Sequence, residues 1–170
     1  MTIYAPQSLS SALTAGSQII FEITKQCIKY YDEKFGIPYQ FYKYDYAFVP
    51  NMYNEAMENP GMVTMDQKLL SWFKEGVSLG DMVYFASDIA HECAHFWFGN
   101  LVTLRWWNDL WLNESFADFL TFECLTAIQS KLTKFTYPVE LSNMVFLAAS
   151  DVAYIADQND NGTHALSSTM

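Results

Sequence analysis

The chain has 170 residues, of which 51% are hydrophobic, 17% aromatic and 16% charged. That composition excludes intrinsic disorder and supplies the large apolar side chains of a sizeable core. Nine Lys plus Arg against 19 Asp plus Glu leave a formal charge of −10, which excludes nucleic acid or an anionic membrane as the main partner and suits an amine or a metal ion. In chain order, Ile20, Ile23, Cys27 and Tyr31 recur every three or four residues. They predict an amphipathic helix from about Ser10 to Phe35, stopped by Gly36 and Pro38. Tyr42, Tyr44, Tyr46 and Phe48 alternate with Lys43, Asp45 and Ala47 and predict a half-buried strand ending at Pro50-Asn51. A loop is expected over Asn54 to Gly61, a short strand over Met62 to Met65, and a turn or short helix over Lys68 to Lys74.

Met82, Phe85, Ala86, Ile89, Ala90, Cys93 and Trp97 predict a helix from about Asp81 to Phe98, with Asp81 capping its start and Gly99-Asn100 ending it. Leu101 to Trp107 fits either strand or loop. Trp111 to Ile128 predicts a further helix with Leu112, Phe116, Phe119, Leu120 and Leu125 inward, and Val139 to Ala156 another. Polar loop follows from Asp157. Cys27, Cys93 and Cys124 lie far apart without a C-x-x-C pair, against both a disulfide framework and a thiolate zinc site. No apolar run reaches the ~18 residues of a spanning helix, and Met1 to Gln7 lacks the pattern of a signal peptide. The length fits one domain or a piece of a larger one, with no linker or repeat.

His91-Glu92-Cys93-Ala94-His95 is H-E-x-x-H on a predicted helix. Residues four apart lie one turn apart on one face, so both imidazoles can point at one cation. Zinc takes neutral imidazole, and a catalytic site uses three protein ligands with one position left for water. Glu92 lies ~100° round the helix and reaches water without ligating, as a general base must. The alternative is a core helix that happens to carry two histidines. Eighteen residues separate His95 from Glu114, near the start of the next helix. An antiparallel helix pair brings Glu114 back beside the histidines, and His, His, Glu is a catalytic zinc set. A carboxylate at a helix start is otherwise favoured by the macrodipole. Among Trp111, Leu112 and Phe116 it would be costly to bury unpaired. Asp118, one turn on, fits a hydrogen-bond partner of a ligand imidazole or a solvated face equally.

H-E-C-A-H, an eighteen-residue gap and W-L-N-E-S-F-A resemble the gluzincin aminopeptidases of the aminopeptidase N type. The stretch Trp97 to Glu114 between them is similar too. Upstream, Ala56-Met57-Glu58-Asn59 matches the last four letters of that family's G-A-M-E-N motif. The resemblance runs from about Tyr4 to Leu166. It implies an α+β fold, the front part of a thermolysin-like metallopeptidase catalytic domain, with a small sheet beside zinc-bearing helices. The whole chain, 1–170, is then one partial catalytic domain with no second domain. It implies one zinc ion per chain on His91, His95 and Glu114, with Glu92 as base. It also implies that Glu58 holds the substrate's free α-amine and that Ala56 and Met57 contact the substrate through their backbone. Without the resemblance, Glu58 is a solvated loop acid.

Two departures stand out. Glu55 replaces the Gly of G-A-M-E-N, where Gly allows close backbone approach; a Glu there narrows or charges the pocket for the first side chain. The family's catalytic Tyr, in a Tyr-x-x-Lys-Gly context, has no counterpart. Tyr137 and Tyr154 come too early, and His164-Ala165-Leu166-Ser167 resembles the segment just before it. The expected function is removal of N-terminal residues from peptides with a free N-terminus, with weak activity from this chain alone and the remainder of a parent chain needed. Two alternatives stand beside it: another gluzincin hydrolase, endopeptidase or epoxide hydrolase, and a non-catalytic zinc- or peptide-binding module.

Overall fold

The computed structural model describes residues 1–74 and 76–132; the helix expected over Val139 to Ala156 and the polar tail lie outside the described residues. Helix α1 spans Ser10–Phe35, with the bounds that the periodicity predicts. Gly36 ends it in the left-handed region at φ 63°, its N–H bonding the Asp32 carbonyl, a conformation glycine adopts without steric cost. Ile20, Ile23, Cys27 and Tyr31 are all fully buried.

Among the described residues four short strands form one sheet in the order β1-β2-β4-β3. They are β1 Ile3–Tyr4, β2 Asp45–Val49, β3 Ala56–Met57 and β4 Met62–Asp66. The first three neighbours in that order run parallel, β3 pairs antiparallel to β4, and Ala56 faces Met65 across the ladder. The alternation predicts a strand from Tyr42; pairing begins at Asp45, and Tyr42 is fully exposed. Tyr44, Tyr46 and Phe48 are buried as expected. Asp45 fixes the start of β2 by accepting from the Thr2 N–H at 2.8 Å and pairing with Lys43 at 3.0 Å. The loop expected over Asn54 to Gly61 contains β3, two residues too short for a period-two pattern to register.

After β4, helix α2 covers Gln67–Ser71, capped by the Asp66 carboxylate on the Lys68 N–H, and a 3₁₀ turn carries the chain through Trp72–Lys74. Helix α3 is Leu79–Ala94, starting two residues and ending four residues earlier than the periodicity implies. Its cap is Ser78, not Asp81: the Ser78 hydroxyl accepts from the Asp81 N–H and donates to the Asp81 carboxylate. Past Ala94 the backbone tightens to three-residue bonds, Phe96 to Cys93 and Trp97 to Ala94, which turns Phe96 and Trp97 into the core. The ambiguous stretch from Leu101 is loop, with a single bridge between Phe98 and Val102.

Helix α4 spans Leu110–Ile128. Ala117, Leu120, Cys124, Leu125 and Ile128 are buried, whereas Phe116 and Phe119, expected inward, are exposed together with Trp111. A helix with apolar residues all round has no single stripe for periodicity to pick out. The sheet packs its Tyr44–Phe48 face toward α1 and α3: Thr24 bonds the Tyr46 hydroxyl at 2.8 Å, and Tyr44 bonds Cys93 Sγ at 3.1 Å. At the junction of the three long helices the Tyr31 hydroxyl, donated from α1, lies 3.0 Å from the Ala90 carbonyl of α3 and 3.2 Å from the Leu120 carbonyl of α4. One buried phenol thus fixes the two helices against each other one residue before His91. Lys34 and Glu123 tie α1 to α4 a second time at 2.7 Å. Among the described residues no helix is long and apolar enough to cross a membrane.

Candidate active site

The end of α3 and the beginning of α4 bring His91, His95 and Glu114 together. Their ligand atoms all lie within 4.8 Å of one another. The two Nε2 atoms are 2.9 Å apart, and Glu114 Oε2 is 3.3 Å from His91 Nε2 and 3.5 Å from His95 Nε2. Tetrahedral zinc with ligand bonds of ~2.0–2.1 Å places its ligand atoms about 3.3 Å apart, so this triangle has the size that ion requires. Each imidazole is oriented through its other nitrogen. His95 Nδ1 donates to the Phe98 carbonyl at 3.0 Å, and His91 Nδ1 lies 2.9 Å from Asp118 Oδ1. A carbonyl and a carboxylate only accept, so both Nδ1 atoms carry a hydrogen and both Nε2 atoms face the cluster; without an ion the charged His91 donates from Nε2 to Glu114, and loss of that proton frees the lone pair to ligate. Asp118, which the sequence fits equally to a solvated face, is thus within hydrogen-bond reach of the His91 ring. The Phe98 carbonyl does the same for His95 and is a backbone contact that residue patterning does not disclose. Glu114 is 48% exposed on its side chain, so its place rests on proximity to two imidazoles and not on the cost of burial.

Burial opposes a charge on His91, but the Asp118 and Glu114 hydrogen bonds outweigh it and lift the imidazole to about 10. Burial likewise opposes a charge on His95, and the Glu114 bond again raises it. Glu114 is held well below the ordinary carboxylate range, its partial burial overcome by the two imidazoles. Glu92 behaves oppositely. It is only 6% exposed, its Oε2 has no hydrogen-bond partner among the described residues, and burial raises its carboxyl to about 7.

Glu58 follows β3 and is not solvated. Its side chain is 18% exposed, 3.8 Å from His95 Nδ1. Ala56 and Met57 form β3, the edge strand of the described sheet, with Met57 exposed. Glu55 departs from expectation: its carboxylate is taken up by Lys68 Nζ at 2.6 Å and by the Tyr84 hydroxyl. Burial would raise its pKa, and the Lys68 and Tyr84 bonds lower it instead. Its charge is met within the fold, and the residue pins the start of β3 to α2 and α3.

Asp88 was not singled out by the sequence. It lies one turn before Glu92, and its buried Oδ2 has no partner among the described residues. Burial, reinforced by Glu55 and Glu92, pushes its carboxyl up to about 8. Between about pH 4 and 8 the folded chain therefore holds a proton there that the unfolded chain has released, so stability falls as pH rises through that window. Asp88→Asn removes the effect. Its stability advantage is expected to grow by up to ~1.4 kcal/mol per pH unit across the window, read from denaturant melts at pH 5, 6.5 and 8. An advantage independent of pH would show that Asp88 is ionised in the fold.

The model of the peptidase family M1 domain matches residues 19–168. The chain belongs to this family, in which zinc dependence is general. It is 46% identical over 125 residues to aminopeptidase N of Streptomyces lividans, covering 74% of this chain and 14% of that protein. It is 43% identical over 105 residues to endoplasmic reticulum aminopeptidase 1 of Rattus norvegicus, covering 62% of this chain and 11% of that protein. A probable M1 family aminopeptidase 1 of Encephalitozoon cuniculi is 40% identical over 114 residues, 64% of this chain and 13% of that protein. The chain thus spans about a seventh or less of the length of these relatives.

Proposed function

We propose that this chain carries the metal and amine sites of a zinc aminopeptidase, which removes N-terminal residues from peptides. The observation that carries the reading is the meeting of two Nε2 atoms and the Glu114 carboxylate at zinc-sized separations, with the shielded carboxylate of Glu58 beside them. His91, His95 and Glu114 would hold the ion. Bound there, zinc supplies a Lewis acid that polarises the scissile carbonyl and acidifies water. Glu92 takes the attacking water's proton on its unpartnered Oε2 and passes it to the departing amine. A carboxyl raised to about 7 is suited to both transfers near neutral pH. Glu58 accepts the substrate's α-ammonium and sets the register, so that one residue precedes the scissile bond. The edge strand β3 lays the backbone of Ala56 and Met57 along the substrate, in the manner of strand addition.

An endopeptidase or an epoxide hydrolase would not require a free α-amine. In the full-length gene product that contains residues 1–170, Glu58→Ala is expected to lower kcat/KM on free-amine peptides by about tenfold or more, since hydrogen bonds to charged groups are worth ~1.5–3 kcal/mol. Zinc content is expected to stay unchanged, and N-acetylated peptides to be poor substrates of the unmutated enzyme. Equal cleavage of acetylated and free peptides would move the reading to an endopeptidase.

A further inference from the structure

Glu58 lies just beyond a two-residue strand, yet its carboxylate is largely shielded from solvent. The sheet alone does not hold it; two side-chain amides reach it. Asn100, in the turn after the histidine helix, donates from Nδ2 to the Glu58 backbone carbonyl at 2.8 Å. Asn113, in the first turn of α4, places Nδ2 3.4 Å from Glu58 Oε1 and 3.4 Å from Glu114 Oε1. The amide thus stands between two carboxylates that repel each other. Its two N–H bonds serve one each, which a single hydroxyl hydrogen cannot do. Being neutral, it leaves the charge of Glu58 available, where a Lys or Arg would neutralise it. Asn113 reaches this position across Gly99. A Cβ at Gly99 would lie 2.5 Å from Asn113 Oδ1, and the φ of +128° there is one that glycine tolerates.

We propose that Asn100 and Asn113 are positioning residues that clasp Glu58 by its backbone and its carboxylate. They would fix the distance between the bound α-amine and the ion held by His91, His95 and Glu114. This rests on the amine role of Glu58 and extends it. The connection between the two ligand-bearing helices together with the first turn of α4, not the sheet, then decides the register at which a free N-terminus is accepted.

The test is titration calorimetry of the zinc-loaded chain with L-leucinamide and N-acetyl-L-leucinamide. The unmutated chain is expected to prefer the free amine by about tenfold or more. Asn113→Leu and Asn100→Ala are each expected to erase most of that preference, with zinc stoichiometry unchanged. In a Glu58→Ala background, Asn113→Leu is expected to change nothing further, because it acts through Glu58. Should Asn113→Leu fail to fold, Asn113→Ser and Asn100→Ala carry the test. A preference that survives both asparagine changes but is lost in Glu58→Ala overturns the clasp and keeps the amine site. Loss of zinc in Asn113→Leu also overturns it, by placing the residue's action on Glu114. Equal binding or no binding of the two probes by the unmutated chain overturns the amine site itself.

Discussion

Replacing His95 with alanine is expected to lower bound zinc from about one ion per chain to about a tenth of that or less after dialysis against trace metal. The proposed site has three protein donors, and His95 would supply the one whose orientation is most fully determined. Its ring is buried, its Nδ1 is committed to the Phe98 carbonyl at 3.0 Å, and its Nε2 faces His91 Nε2 at 2.9 Å. Two donors then remain on a half-exposed face where water and buffer compete. Asp118→Ala tests the same geometry more gently. It leaves all three ligands but frees the His91 ring to turn, and loss of such a partner typically weakens metal affinity 10–100-fold. Because removing a buried ring also leaves a cavity, circular dichroism should accompany the metal analysis. Glu114→Gln, a change on an exposed side chain, provides an independent arm. Folded His95→Ala protein with undiminished zinc would rule out the His, His, Glu site.

How far the residues announced this arrangement depended on the range of the interactions involved. Helix α1 was legible to the residue because one apolar stripe and one left-handed glycine define it. The spacing of His91 and His95 is likewise a property of one helix, and their convergence needs no tertiary information. Glu114 was reachable only because the connection between α3 and α4 folds back. Sheet order was not legible: β1 and β3 are two residues each and owe their existence to partners 43 residues and 9 residues away, Tyr46 and Met65. The inward face of α4 was misassigned at Phe116 and Phe119 because apolar residues surround that helix. Asp88, Asn100 and Asn113 carry no pattern at all. Asn100 and Asn113 matter through contacts with the distant Glu58, and Asp88 through its burial near Glu55 and Glu92; a polar residue in sequence does not disclose whether water or protein completes its hydrogen bonds.

Glu92→Gln is expected to lower kcat of the full-length gene product on a free-amine peptide by roughly 10²–10⁴-fold with KM and zinc content little changed. The two side chains have nearly the same shape, so the buried position tolerates the exchange. What differs is the proton: a carboxylate Oε2 can take one and give it up, whereas an amide oxygen of glutamine can only accept a hydrogen bond. The environment explains why Glu92 is suited to the task. Among the described residues its Oε2 is buried without a partner and no salt bridge holds the carboxyl at low pKa, so burial raises it to about 7 instead of leaving it near 4.5. An unpaired buried carboxylate is costly to a fold, and glutamine lowers that cost by remaining neutral. The melting temperature of Glu92→Gln should therefore hold or rise while turnover collapses, the opposite of what loss of a structural contact produces. Full activity in a folded, zinc-loaded Glu92→Gln protein would assign the base to another residue, and Asp88, one turn earlier on the same helix, would be the first to examine.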